Sequence, residues 1–376
     1  MLRASKAAEI AGVPSVTIVG SEFMKQAALI SKGLGLPLAV AEYPGAPMLD
    51  GAEAIRAKVT DNLLPEIIRG LTSPLSERTD AAALSEPRAG AIVIKGTLSQ
   101  VQNHFHRNMW SDGLPIIPPT RERVAAFLRF TTRDATESLG VLPQEGRKAT
   151  IHSIAVNAVM AGCLPEYFPV VLAALEAVTD PRFDLLGIQT TTNPVTPVLI
   201  INGPIRLALE INCGRGCMGP GFRANATIGR AVKLALLNIG LCHPGAISKS
   251  IHGMPGRFTF CFGELEEASP WDPLHVEMGY RAEESTVSVV GGQGTQNMCC
   301  GLTTPEGIVH MVADGMRYYG SNGYLRGSGA PLLVIGPGHA KIFHEAGWDK
   351  EIPPCSFWIR PTPIPTNRLS ERTSAI

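Results

Sequence analysis

The chain has 376 residues, 45% of them hydrophobic, which is enough apolar material for sizeable cores and for two or three domains. Lys plus Arg and Asp plus Glu both number 33, so no global basic field exists to hold a nucleic acid or an anionic membrane surface. The expected partner is therefore a small-molecule substrate, and a homo-oligomer is left open.

The eight cysteines lack the regular spacing of a disulfide framework and indicate reduced thiols. The sequence shows neither the apolar core of a signal peptide nor an uninterrupted apolar run near the roughly 18 residues of a membrane span. By elimination, the sequence predicts a cytoplasmic protein that does not enter a membrane.

The first 75 residues alternate helical and β-rich patterns. In chain order these lie at 5–11, 15–19, 22–32, 36–41 and 51–69. Such alternation indicates parallel strands joined by crossover helices, hence an α/β layer. A βαβ unit begins with a strand, whereas this chain begins inside its first helix. We therefore expect a small parallel α/β domain over 1–75 whose first strand is missing.

Two segments of this first domain read AGVPSVTIVGSEFMKQA and LGLPLAVAEYPG. They resemble the amino-terminal domain of the family named for a selenocysteine/cysteine-Gly-Ser-Cys (UGSC) motif. In that family the motif precedes the first helix, and the resemblance implies thiol or selenol redox chemistry. This chain carries no such motif, so the resemblance implies a fold here without transferring the redox cysteine.

The rest of the chain divides by composition. Residues 76–100 have the features of a linker with a short strand. Residues 101–348 are expected to form a larger α/β or α+β domain that binds ligand or catalyses, and residues 349–376 an irregular tail. The segments WSDGLPIIPPT and AVNAVMAGCLPEYFPVVLAALEAV extend the family resemblance over most of the chain. The resemblance supplies no reaction for this larger domain.

A proline-rich segment, NMWSDGLPIIPPT, opens the larger domain. Its prolines prevent regular structure, so we expect Trp110 and Asp112 on a structured loop that faces substrate. His104 and His106 would share one face of an extended chain, which suits a metal. Two solvated loop histidines are the alternative, and since no third ligand has diagnostic spacing, no metal site is predicted.

A cysteine lies between two predicted helices. Thr150 can cap the first helix and Gly162 can end it, while Pro165 opens the second. Cys163 then lies near a helix N-terminus, where the helix field favours a thiolate, and it is the first choice for a nucleophile. A buried cysteine packed as a small apolar residue is the alternative. Asn157, beside the apolar stripe of the first helix, is a candidate substrate contact.

The stretch 202–240 is the best ligand cradle in the sequence. An apolar run stops at Asn202 and Gly203, and a glycine-dense segment leads into a long helical pattern. Glycines let backbone amides approach a ligand, although tight turns between buried elements are the alternative. The segment has no nucleotide fingerprint, and Cys213 and Cys217 lack zinc-ribbon spacing. Any cofactor is therefore unknown.

Three polar residues follow at the start of the long helical pattern. Arg223 and Arg230 offer planar forks for a carboxylate or phosphate, and Asn225 lies in the first turn. Ordinary surface charge and capping are the alternative roles. These residues are the reason that the sequence predicts an anionic substrate.

An alternating run of phenylalanines at 258–262 predicts a half-buried strand. Glu264 and Glu266 would emerge at its end, and a proline-bounded loop containing Trp271 would bring His275 to the same place. Carboxylates beside an apolar wall, together with an imidazole, suit proton transfer or a metal. An exposed acidic strand end is the alternative.

The sequence thus favours an enzyme that acts on a small anionic organic molecule, with thiol-dependent redox chemistry implied by the family resemblance. A metal-assisted lyase or hydrolase using Glu264, Glu266 and His275 is one alternative, and a non-catalytic binding or assembly subunit is another. The enzyme hypothesis expects four segments to converge on one site: the stretch 202–240 with Arg223 and Asn225, the Trp110–Asp112 loop, Cys163, and residues 264–275.

Overall fold

The computed structural model describes residues 2–33, 36, 38–73, 90–142, 147–298, 301–316, 331–350 and 362–365. The fold class is α/β, as the sequence predicts. Among the described residues, no helix combines the length and the apolar character needed to cross a membrane.

The amino-terminal elements form a small parallel layer. They are α1 (Leu2–Ile10), β1 (Val16–Gly20), α2 (Met24–Gly33), β2 (Ala39–Tyr43), α3 (Ala52–Lys58) and α4 (Leu64–Thr72). β1 pairs with β2 in parallel, with Val16 beside Ala39. A π-helical turn, Val59–Leu63, joins α3 to α4. The predicted alternation of helices and parallel strands is therefore present.

The larger region supplies the remaining α-helices and strands of the described residues. These are α5 (Leu98–Arg107), α6 (Arg121–Leu128), β3 (Ser138–Leu142), β4 (Arg147–Thr150), α7 (Ile151–Ala161), α8 (Phe168–Thr179), α9 (Leu185–Thr190), β5 (Thr196–Asn202), α10 (Ile205–Ala208), α11 (Arg223–Asn238), β6 (Cys261–Gly263), α12 (Leu274–Glu277), β7 (Thr286–Gly292), α13 (Pro305–Met316), α14 (Pro337–Glu345) and β8 (Thr362–Pro363). The last strand lies within the segment that the sequence predicts to be an irregular tail.

The main sheet has the strand order β6-β5-β7-β8. β5 runs parallel to β6 and antiparallel to β7, and β8 runs antiparallel to β7. Asn202, the last residue of β5, lies opposite Thr286, the first residue of β7. The carboxyl ends of β5 and β6 therefore meet the start of β7 at one edge of the sheet. In open α/β sheets, this edge is where ligands bind.

The two faces of this sheet differ. Side chains alternate between faces along a strand. One face, with Leu199, Ile201 and Val287, belongs to the largest apolar core together with α7, α8 and α11. The opposite face carries a smaller apolar cluster formed by Val198, Ile200, Phe260 and Phe262. Its polar members are Asn202, Thr286 and Ser288, which the pairing register places on the same side as Ile200.

Helix α7 forms as its sequence signals predict. The Thr150 side chain accepts a hydrogen bond from the Ser153 amide at 3.2 Å, which caps the helix. Gly162 ends the helix with φ 87°, a conformation that glycine adopts without strain. Residues of α7 pack against α11 within the main core, so these two helices form one side of the larger domain.

Several local predictions are wrong, among them the short strand expected within 76–100, because residues 90–97 form no strand. His104 and His106 lie in helix α5 and not in an extended loop, because Thr97 and Gln100 form a capping box that starts a helix there. The predicted phenylalanine strand is limited to Cys261–Gly263, because a helical turn, Pro255–Arg257, precedes it. Phe258 is accordingly 46% exposed and does not share a strand face with Phe262.

Candidate functional site

A group of polar residues occupies the edge where β5 and β6 end, and we name it the sheet-end group. Its members are Asn202, Gly203, Arg206, Glu264, Glu266, Glu267, His275, Thr286, Ser288 and Lys350. Five of them, Asn202, Gly203, Glu264, Glu266 and His275, are site residues predicted from the sequence. The structure therefore brings together the end of the predicted cradle and the predicted acidic segment.

Asn202 connects the two carboxylates. Its Nδ2 donates to Glu264 Oε2 at 2.5 Å and to Glu266 Oε1 at 3.0 Å. Carboxylates only accept, so both amide hydrogens of Asn202 are committed and its Oδ1 is left as an acceptor. The Gly203 amide adds a third hydrogen bond, to Glu266 Oε1 at 2.8 Å. Both glutamates are thereby held as oriented acceptors.

Gly203 is required by the backbone geometry. Its φ is 83°, in the left-handed region that favours glycine. A Cβ added there would also collide with the carbonyl oxygen of Glu284, which belongs to the chain entering β7. The turn after β5 therefore combines positive φ with close backbone approach.

Arg206 is a member that the sequence does not predict. Its side chain is only 3% exposed. Nε donates to the Gly203 carbonyl at 3.0 Å, one terminal nitrogen donates to the Glu264 carbonyl at 2.6 Å, and the other lies 2.7 Å from Glu266 Oε2 and 2.9 Å from Glu267 Oε1. Burial lowers the pKa of Arg206, but its bonds to Glu267 and Cys213 and the charge of Glu266 outweigh this effect and raise the pKa.

Lys350, the last residue of the described range 331–350, binds side chains of the group. Its Nζ donates to the Asp272 carbonyl at 2.6 Å and lies 3.1 Å from Glu277 Oε1 and 3.5 Å from Glu264 Oε1. Burial raises the pKa of Glu277, and Lys350 opposes this shift. The sequence-predicted Trp271 donates from Nε1 to the Trp348 carbonyl at 3.2 Å. Its indole nitrogen thus has a protein partner.

His275 lies in the short helix α12 and not in a loop, and it is fully buried. Its Nδ1 is 3.9 Å from Glu266 Oε1, which is beyond hydrogen-bond distance. Neither ring nitrogen has a hydrogen-bond partner. The imidazole therefore faces the oriented Glu266 carboxylate without being bound to it.

Unpartnered buried atoms are concentrated at this end of the sheet. They are Asn202 Oδ1, His275 Nδ1, His275 Nε2, Thr286 Oγ1 and Ser288 Oγ, and the described residues contain one other such atom, Asn238 Oδ1. Buried polar groups in native proteins are nearly always hydrogen-bonded, so each exception needs a physical account. A concentration of this kind indicates a place for a polar ligand or ordered water.

The other sequence-predicted residues form a second group between α7, α11 and the Trp110 loop, which we name the helix-pair group. Arg230 binds Asp112 in bidentate geometry, with nitrogen to oxygen distances of 2.7 and 2.8 Å. Arg223 donates two hydrogen bonds to the Gly162 carbonyl, at 3.2 and 3.1 Å. The two arginines expected to recognise an anion are therefore bound to the protein itself.

Asn238 extends the helix-pair group. Its Nδ2 donates to Asn157 Oδ1 at 2.7 Å and to the Trp110 carbonyl at 3.1 Å. Asn157 in turn donates from Nδ2 to the Ser153 carbonyl at 2.9 Å. The predicted substrate contacts Trp110 and Asn157 thus connect the loop to the two helices.

Cys163 also lies on this side of the molecule. Its Sγ is buried and donates to the Thr227 carbonyl at 3.2 Å. Burial raises the pKa of Cys163 to about 12, although Arg223 and Arg230 act in the opposite direction. The expectation that the helix field gives a thiolate is therefore wrong here, because desolvation exceeds the stabilisation by nearby positive charge.

Asn225 stabilises the glycine-rich loop. Its Oδ1 accepts from the Asn212 amide at 2.8 Å, and its Nδ2 donates to the carbonyls of Asn212 at 2.9 Å and Cys217 at 3.1 Å. Both polar atoms of its side chain thus serve the loop that precedes α11.

The four segments expected to converge do not all meet: the start of the 202–240 stretch joins residues 264–275 in the sheet-end group, whereas Arg223, the Trp110 loop and Cys163 lie on the side of the helix-pair group. Among the described residues, no hydrogen bond or ion pair joins the sheet-end group to the helix-pair group. In the same part of the chain, no three or more His, Cys, Asp or Glu side chains are grouped so as to hold a metal ion. Comparisons of the chain with protein-family models, curated proteins and solved structures give no match.

Proposed function

We propose that the chain is an enzyme that transfers protons on a small organic molecule at the sheet-end group. One observation carries this proposal: five buried polar atoms without partners belong to the same end and face of the sheet as two oriented carboxylates, where a parallel strand pair ends. Ligand sites in α/β proteins favour this edge, and leaving such atoms unpaired is costly without a ligand.

His275 is the group that would move the proton. Glu266 is fixed by Asn202, Gly203 and Arg206 and remains an acceptor for the imidazole. The 3.9 Å separation between His275 Nδ1 and Glu266 Oε1 would shorten when a ligand binds, as catalytic hydrogen bonds commonly do. His275 would then accept a proton at Nε2 and return it to the product.

The unpartnered atoms of the sheet-end group are buried, so a ligand can reach them only when the residues that cover them move. Residues 264–277 form part of this cover, and Lys350 attaches them through Glu264 and Glu277. Closure over a substrate excludes water and completes a catalytic arrangement.

A screen tests the proposal with the full chain. Thermal unfolding is measured against a library of small metabolites for the natural protein, for His275→Asn and for His106→Asn, an exposed histidine that serves as the control. We expect ligands whose stabilisation is lost in His275→Asn and kept in His106→Asn, and mass spectrometry then detects turnover. The proposal fails if every stabilising ligand acts equally on the two variants.

The same screen also tests the other functions predicted from the sequence. Thiol-dependent redox chemistry, which the UGSC-family resemblance implies, stays a prediction, and Cys163 offers it no ionised thiol at neutral pH. Turnover that requires an added metal would support the metal-assisted lyase or hydrolase. Ligand binding at His275 without turnover would support the binding or assembly subunit.

A further inference from the structure

The hydrogen-bond capacity of the sheet-end group restricts what it can bind. Asn202 has used both amide hydrogens on Glu264 and Glu266, so its unpartnered Oδ1 needs a donor. The hydroxyls of Thr286 and Ser288 lie on the same sheet face and can also accept. A ligand must therefore offer a hydrogen to Asn202 Oδ1, and one that offers further hydrogens to the two hydroxyls would satisfy all three atoms.

The N–H groups of Arg206 and Lys350 are all directed at acceptors of the protein, so neither side chain is available to an anion. Arg206 directs its five N–H groups at the Gly203 and Glu264 carbonyls and at the side chains of Glu266, Glu267 and Cys213. Lys350 is engaged by the Asp272 carbonyl, Glu277 and Glu264. A bound carboxylate or phosphate would have to displace one of these contacts.

The net negative charge of the sheet-end group favours a cationic ligand. Four carboxylates, those of Glu264, Glu266, Glu267 and Glu277, share the two cations Arg206 and Lys350. A positive group placed among them would be attracted in a region from which water is excluded, where charges interact strongly. The two arginines predicted to attract an anion, Arg223 and Arg230, belong to the helix-pair group.

We propose that the substrate of the sheet-end group carries a protonated amine that donates to Asn202 Oδ1 and to the hydroxyls of Thr286 and Ser288. This inference rests on the proposed function and replaces the anionic substrate expected from the sequence. An ammonium has three N–H donors and no acceptor, which matches this set of acceptors. The apolar part of the substrate would pack on the same sheet face, against Ile200 and Phe262.

A matched panel of ligands tests whether the site prefers a positively charged ligand. Amines, alcohols and carboxylates on identical butyl, cyclohexyl, benzyl and phenethyl skeletons are titrated into the full chain, with binding followed by ligand-observed NMR. We expect amines to bind at least about 10-fold more tightly than the alcohols, and carboxylates more weakly still, because a charged hydrogen bond is the stronger one.

Variants locate the binding. Thr286→Val and Ser288→Ala remove hydroxyls that have no protein partner, and each should weaken amine binding by about 10-fold. Thr60→Val, in the small domain, is the control and should change nothing. Amine binding that is unaffected by Thr286→Val and Ser288→Ala would overturn the inference.

Two further outcomes separate the inference from the proposed function. If alcohols or carboxylates bind best and depend on Thr286 and Ser288, the site is retained and the amine is rejected. If no member of the panel binds, the amine is likewise rejected, and the His275→Asn metabolite screen decides independently whether the site binds any other ligand.

Discussion

The sheet-end group and the helix-pair group both combine arginine, asparagine and carboxylate side chains but differ in how their polar atoms are used. In the helix-pair group, Arg230 binds Asp112 and Arg223 binds the Gly162 carbonyl, while Asn238 Oδ1 is its unpartnered buried atom among the described residues. The sheet-end group leaves five such atoms unpartnered. Polar residues that satisfy one another maintain a fold, whereas buried polar residues left unsatisfied have capacity to bind something else.

The largest expected effect is at the turn that positions the sheet-end group. Gly203→Ala should lower the free energy of unfolding by about 5 kcal/mol or prevent folding, because a new Cβ would meet the Glu284 carbonyl at positive φ. Gly113→Ala is the control, since Gly113 has φ 92° with open space around it, and should cost about 1 kcal/mol. Equal costs in chemical denaturation would contradict the close-approach argument.

Arg206→Met should have the next largest effect on the sheet-end group. Removing this buried guanidinium leaves Glu266 without its cation and should cost about 3 to 5 kcal/mol of unfolding free energy. Arg281→Met breaks an exposed pair with Glu284 and should cost less than about 1 kcal/mol. Urea denaturation measures both variants. A small loss for Arg206→Met would show that Glu266 is stabilised by its other partners.

Arg230→Met tests the helix-pair group. Loss of the bidentate bond to Asp112 should cost about 2 to 3 kcal/mol of unfolding free energy. Ligand binding that depends on His275 should be unchanged, because no hydrogen bond or ion pair joins the two groups in the described residues. The independence of the two groups is refuted if Arg230→Met removes ligand binding while the protein stays folded, as judged by circular dichroism.

Two neighbouring serines give a smaller and more pointed test. Ser285 Oγ accepts from the Ile205 amide at 3.1 Å, whereas Ser288 Oγ has no partner, and both serines are buried. Ser285→Ala should lower the free energy of unfolding by about 1 kcal/mol, and Ser288→Ala should raise it by about 1 kcal/mol in the absence of ligand. A loss of stability in Ser288→Ala would indicate that its hydroxyl is already satisfied.

The smallest effect concerns pH and Cys163. The folded-state pKa is raised from 9.0 to about 12, so the thiol contributes stability fully below pH 9 and loses it as pH rises toward 12. The natural protein should therefore lose about 1 kcal/mol relative to Cys163→Ala between pH 7 and pH 10. Denaturation at the two pH values measures this difference. A constant difference would mean that the thiol ionises as easily folded as unfolded.

The sequence predicts the α/β class and several local features correctly, because these depend on short-range signals. Thr150 and Gly162 delimit α7 through their own cap and turn chemistry. Asn202 and Gly203 follow an apolar run, which indicates the end of a buried strand. Signals of this kind act within a few residues, so they can be read without knowing the tertiary structure.

The missed and misplaced features depend on long-range contacts. Thr286 and Ser288 alternate with valines, which indicates a two-faced strand but does not reveal that β5 is its neighbour. Arg206 resembles an ordinary helix residue until Glu266 and Glu267 are brought to it from 60 and 61 positions away. The position of Cys163 relative to the helices is visible in the sequence, whereas its burial is not.

The central position of β5 has a consequence for the order in which the protein folds. All seven residues of β5 are buried, yet its partners lie far ahead, with Leu199 pairing with Cys261 and Asn202 with Thr286. During synthesis this apolar strand must therefore wait for β6 and β7 to emerge from the ribosome, and long-range pairing of this kind closes slowly. The nearby helices α7, α8 and α11 can assemble earlier and cover one face of β5, which would shield the nascent chain from aggregation.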